Sequence, residues 1–210
     1  MRKEYFNVYK YDELSDKSKE KAYELWVNMS DSDYDWHNQV LEEWEERLEK
    51  YGFINTKIFY SGFWSQGDGA SFNADIDLRI LAYEWAISEI IDTENENIFP
   101  FLDFIEDDSI GSTLKICVIG GLSNHYSHEK TRYIETDGNG YEWNESGPEP
   151  SWIEPMMNEL IDYVEEVRLC LCQEIYSSLR DEYDYLISEE SFKESIESNE
   201  YEFRENGRIF

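Results

Sequence analysis

Apolar residues recur at helical spacing over several stretches of the chain. From about Trp36 to Lys50, Val40, Leu41, Trp44 and Leu48 form one face, and Gly52 marks the end. Before it, Ser15 reads as a helix N-cap, with Asp16 in the first turn and Ala22, Leu25 and Trp26 as the stripe. Residues 77–92 and 97–108 carry two further helical patterns, the second with Pro100 near its start. The longest pattern starts at Ser151 and holds its period through Ile153, Met156, Met157, Leu160, Ile161, Val164, Val167, Leu171, Ile175 and Leu179 to about Leu186. Ser188 then caps a short helix, SEESFKESI, and Asn206-Gly207 predicts a closing hairpin.

Alternation at period two marks strands. FINTKIFY (53–60) and ASFNADI (70–76) flank a glycine-rich turn, SGFWSQGDG. In the second, Ala70, Phe72, Ala74 and Ile76 point one way and Ser71, Asn73 and Asp75 the other. Residues 4–10, STLKICVI (112–119) and EKTRYIET (129–136) read as further strands, and 137–150 as a flexible loop. Helices and strands alternate without a βαβ rhythm. The expectation is one α+β domain: a small mixed or antiparallel sheet packed by several helices, with a long C-terminal helix.

Composition sharpens this picture. The chain has 210 residues, of which 40% are hydrophobic and 16% aromatic, enough for a sizeable core. Asp and Glu number 48 against 18 Lys and Arg, a net charge of -30. Such a surface repels phosphates and anionic lipids, so direct nucleic-acid or membrane binding is not expected. Basic protein surfaces are the partners it attracts. Solubility alone is the competing explanation of the charge. The start of the chain lacks a signal-peptide core and no apolar run spans a bilayer, so a cytoplasmic protein is expected. Cys117, Cys170 and Cys172 suggest buried thiols rather than disulfides.

Two constellations carry candidate chemistry. The first is the turn with HYSH (125–128). Trp64 offers a stacking face, Ser65, Gln66, Asp68 and Ser71 offer polar edges, and His125, Tyr126 and His128 could converge with them on a nucleotide-like ligand. A purely structural turn competes with that reading, and an enzyme using His125 or His128 with Asp68 is a further alternative. No cofactor or metal is expected.

The second constellation is acidic. Glu42, Glu45, Glu46 and Glu49 make one row at helical spacing. Glu159, Asp162, Glu165 and Glu166 make another, and Asp181, Glu182 and Asp184 begin a C-terminal cluster. Carboxylates at i, i+3 and i+4 lie roughly 5–6 Å apart, close to the phosphate spacing of nucleic acid. Such rows suit a nucleic-acid mimic, although each alone also suits a solvated helix face.

The segments YKYDELSDKSKEKAYE, IFYSGFWSQGDGASF, HYSH and RDEYDYLISEESFKESIESNEYEFRENGR resemble a phage and prophage family often labelled "antitoxin of toxin-antitoxin stability system". The resemblance implies a phage setting, in which small non-structural proteins act on host machinery or defence. The leading expectation is therefore a non-enzymatic counter-defence inhibitor of the anti-CRISPR or anti-restriction type. A nucleotide or defence-signal binder is the alternative.

Overall fold

The computed structural model describes residues 7–31, 35–92, 95–106, 116–120, 127–136 and 150–210. Their elements are α1 (Asp16–Asp31), α2 (Asn38–Lys50), β1 (Phe53–Ser61), β2 (Gly69–Ile76), α3 (Leu78–Asp92), α4 (Ile98–Glu106), β3 (Ile116–Gly120), β4 (Arg132–Thr136), α5 (Ile153–Leu186) and α6 (Glu189–Asn199). The fold is α+β. Where the sequence suggests one domain, the chain forms two compact units: a terminal unit of Met1–Val40 with Leu179–Phe210, and a central unit of Leu41–Ser178.

The terminal unit closes on an aromatic cluster. Leu14, Ala22, Trp26, Phe192 and Phe203 are buried, with Tyr11, Tyr23 and Ile196 packed around them. Tyr11 and Trp26 each place a ring 5.3 Å from that of Phe192. Ser15 caps α1 by accepting the Ser18 N–H at 3.3 Å, and Ser188 caps α6 by accepting that of Ser191 at 3.1 Å. Leu25, expected in the stripe of α1, is exposed. Of the expected first strand, residues 4–6 lie outside the described residues. Tyr9 forms a single antiparallel bridge to Phe203, which also bridges Ile209 around the Asn206-Gly207 turn. Gly207 is irreplaceable there: its φ is +80°, and a Cβ would lie 2.2 Å from the Ser18 carbonyl oxygen.

The central unit is built on an antiparallel sheet of order β1-β2-β3-β4. The β1–β2 hairpin runs in register from Phe53↔Ile76 to Ser61↔Gly69, broken by a bulge between Ile54 and Lys57. Asn55 sits in that bulge at φ 54°, and its amide donates to Asp75 Oδ2 at 2.8 Å. β2 keeps the expected alternation from Phe72 to Ile76 and departs from it at Ser71. Gly69, Ala70, Ser71 and Phe72 are all buried, because β2 is an inner strand and Arg132 of β4 covers its polar face. Ser71 therefore does not face solvent.

α5 supplies the long apolar stripe. Ile153, Met156, Met157, Leu160, Val164, Leu171, Cys172, Ile175 and Leu179 are buried, and Arg168 occupies the same stripe. Ile161 and Val167 are half-buried at its margin. Cys172 is buried as expected, whereas Cys170 faces solvent. No helix among the described residues is long and apolar enough to cross a membrane. The expected loop at 137–149 lies outside the described residues.

Candidate functional site

The glycine-rich turn is held from within. The Asp68 carboxylate accepts the Trp64 N–H at 2.8 Å and the Ser65 N–H at 2.6 Å. Its Oδ2 lies 3.0 Å from where a Cβ on Gly62 would stand, so glycine gives the carboxylate room. Tyr60, Phe63 and Tyr176 form an aromatic run beside it, with centroid separations of 6.3 and 5.6 Å. Asp68 thus holds the turn through its Oδ2. Trp64 is left 73% exposed, with Ser65 and Gln66 also in solvent.

The end of HYSH reaches this turn. The Ser127 N–H donates to Ser61 Oγ at 3.1 Å. The His128 Cα would stand 2.9 Å from a Cβ on Gly69, an approach that only glycine permits. His128 Nδ1 accepts the Lys130 N–H at 3.3 Å and lies 3.1 Å from Glu129 Oε2. The first contact needs a lone pair on Nδ1 and the second a proton. His125 and Tyr126 lie outside the described residues.

Two arginines make a partly buried set of polar contacts that sequence reading missed. Arg132 Nε donates to Ser71 Oγ at 2.8 Å, its Nη1 donates to Asn73 Oδ1, and its guanidinium lies 4.0 Å over the Phe59 ring. Arg168, fully buried, forks onto Glu165 with two bonds of 2.6 Å and donates to the Glu129 carbonyl at 3.1 Å. Burial is the largest influence and opposes the Arg168 charge, but the hydrogen bonds and charge of Glu165, with Cys172 and Glu129, together outweigh it, so its pKa is raised. Burial lowers the pKa of Arg132, and Arg168 adds to this. Burial pushes the Cys172 thiol up to about 12 despite Arg168 beside it, so it stays protonated and is no nucleophile. Ser71, buried and bonded to Arg132, is no better placed. One signal existed: Arg168 falls at i+4 from Val164 and i-3 from Leu171, inside the apolar stripe.

The acidic rows behave differently from one another. In the central unit Glu42, Glu45, Glu46 and Glu49 of α2 line one open groove of about 680 Å³, shared with Phe53, Ile54, Asn55 and Thr56 of β1. All four are exposed, and none makes an ion pair among the described residues. Arg47 of the same helix lies 3.8 Å over the Trp44 ring and 3.4 Å from Glu174. On α5, Glu159, Asp162 and Glu166 are exposed, but Glu165 is committed to Arg168 and leaves that row. Asp181, Glu182 and Asp184 belong to the terminal unit and are exposed, Asp184 lying 3.8 Å from Arg180.

Comparison with known proteins adds one match: a family model described as a domain of unknown function (DUF8835) covers residues 36–189. No curated protein and no solved structure matches.

Proposed function

The chain belongs to the family described as a domain of unknown function (DUF8835), and from that premise we propose that it is a non-enzymatic inhibitor with an acidic docking face. The α2 groove engages a basic surface of a nucleic-acid-handling or defence protein, in the manner of a nucleic-acid mimic. The observation that carries this reading is the set of Glu42, Glu45, Glu46 and Glu49 on one groove, without ion pairs among the described residues. Carboxylates already in water and unpaired lose no internal partner when a basic surface arrives. The net charge of -30 adds long-range attraction that speeds encounter and weakens with salt. The phage setting implied by the sequence resemblance makes a host defence complex, of the CRISPR or restriction kind, the target to test first.

The test is capture of partners from bacterial lysate by the tagged protein, washed at low and at high salt, with the retained proteins identified by mass spectrometry. A nucleic-acid enzyme or defence complex held at low salt and shed at high salt is the expected result. Absence of any such partner contradicts the proposal.

The exposure of Trp64 at 73% favours a second reading, a binder of nucleotide-like ligands. Ser71 is buried on Arg132 and Asp68 Oδ2 is taken by the turn, so the readers on the described residues are Trp64, Ser65, Gln66, His128 and Asp68 through its Oδ1. That reading predicts a melting temperature raised by a nucleotide and insensitive to it after Trp64→Ala.

A further inference from the structure

The register of the β1–β2 hairpin sets Phe59 opposite Ser71 and Lys57 opposite Asn73. Side chains two apart on a strand share a face, so these four stand together. Two cations converge on them. The Arg132 guanidinium lies 4.0 Å from the centroid of the Phe59 ring, and Lys57 Nζ lies 5.2 Å from the centroid of the same ring. Arg132 is fixed by neutral groups. Its Nε donates to the Oγ of Ser71, which is fully buried, and its Nη1 to Asn73 Oδ1. Arg132 Nη2 and Lys57 Nζ have no hydrogen-bond or ion-pair partner among the described residues.

That is out of keeping with the rest of the chain. Asp and Glu number 48 against 18 Lys and Arg, and Arg47, Arg79, Arg168 and Arg180 each lie against a carboxylate. Arg132 is instead half-buried and clamped with no carboxylate on it among the described residues. Burial, and to a lesser degree Arg168, works against its charge. An anion placed there would relieve both effects.

We propose that Arg132 and Lys57 form a binding site for the phosphate group of a small molecule. A guanidinium already held by Ser71, Asn73 and the Phe59 ring loses little freedom when it offers Nη2 to a ligand. Lys57 adds a point charge from a second direction. A tetrahedral dianion uses both cations, whereas the planar fork of one guanidinium suffices for a carboxylate. The net charge of -30 repels anions at long range. Physiological salt screens that field beyond about 8 Å, so the contacting cations decide the outcome. The site needs neither the α2 groove nor Trp64.

The experiment is an NMR titration of the full chain with inorganic phosphate, and with acetate as control, in about 0.15 M sodium chloride. Saturable shifts of the Phe59, Ser71 and Asn73 amides are expected, with a Kd on the order of 1 mM for phosphate and acetate at least about tenfold weaker. Lys57 is exposed, so Lys57→Gln is expected to fold as the wild type does and to bind phosphate at least about threefold more weakly. Arg132→Lys keeps the charge, loses the fork and is expected to weaken binding at least about fivefold. AMP separates a nucleotide from free phosphate as the source of the group. AMP held more tightly than phosphate, with the excess lost in Trp64→Ala, supports the site and makes the ligand a nucleotide. AMP and phosphate held alike supports the site and contradicts the nucleotide reading. No saturable shift at these amides, acetate bound as well as phosphate, or unchanged phosphate affinity in both variants overturns the site.

Discussion

Arg168 is fully buried, while the Glu165 carboxylate that holds it keeps 35% of its side-chain surface in solvent. The two partners should therefore respond unequally to substitution. Glu165→Ala leaves a buried guanidinium without its counter-charge and is expected to cost about 3 kcal/mol. Arg168→Met leaves a carboxylate that can hydrate and fills the stripe with an apolar chain, so it is expected to cost less than half of that. Chemical denaturation of both variants checks the order, and a larger loss for Arg168→Met contradicts the account. Gly207→Ala places a Cβ 2.2 Å from the Ser18 carbonyl at a positive φ and is expected to cost at least about 2 kcal/mol in the same assay. Sequence reading placed Glu165 and Ser71 on the surface. A carboxylate three residues from an arginine looks the same whether the pair is solvated or buried. An outward position on a strand turns inward when another strand lays a guanidinium across it.

Elements whose apolar period is strong were legible: α2, α5, α6 and the β1–β2 hairpin lie within a few residues of their expected bounds. The bulge at Asn55 was not, since an asparagine in a strand carries no mark of which partner its amide will find. The start of α3 was legible to within one residue, with Asp77 just before the first helical residue. Asp77 Oδ1 accepts the Arg79 N–H at 3.1 Å, and the Arg79 side chain bonds both carboxylate oxygens. That side-chain bond, more than any other contact, holds the Asp77 carboxyl below its ordinary 3.8. A depressed folded-state pKa stabilises above the unfolded value, and the benefit is lost as pH falls through the folded one. Asp77→Ala is therefore expected to cost about 1 kcal/mol at neutral pH and progressively less as pH falls below about 4. Thermal melts of both proteins across pH 2–7 (a range of order set by ordinary carboxylate pKa values) check this. A penalty that does not shrink in acid contradicts the assigned role.

At the scale of the whole molecule, charge was the plainest message of the sequence, and the division into two units the least visible. Their boundaries fall inside α2 and near the end of α5, where no proline- or glycine-rich linker interrupts the helical pattern. The aromatic cluster of the terminal unit joins residues near 11 to residues near 200, a proximity that local pattern cannot reveal. A net charge of -30 also opposes compaction. The melting temperature is expected to rise by on the order of 5 °C from low to about 0.5 M salt as self-repulsion is screened. A melting temperature that falls over that range contradicts self-repulsion as a major term.

The central claim is that the α2 row binds a basic surface. The most direct measurement sets the wild-type protein beside a variant with Glu42, Glu45, Glu46 and Glu49 all changed to Gln, and compares the partners each retains from lysate at low salt. The account predicts that the variant folds with unchanged melting behaviour or better and loses the salt-sensitive partner. A variant that keeps that partner in full would show that the groove is not the docking face.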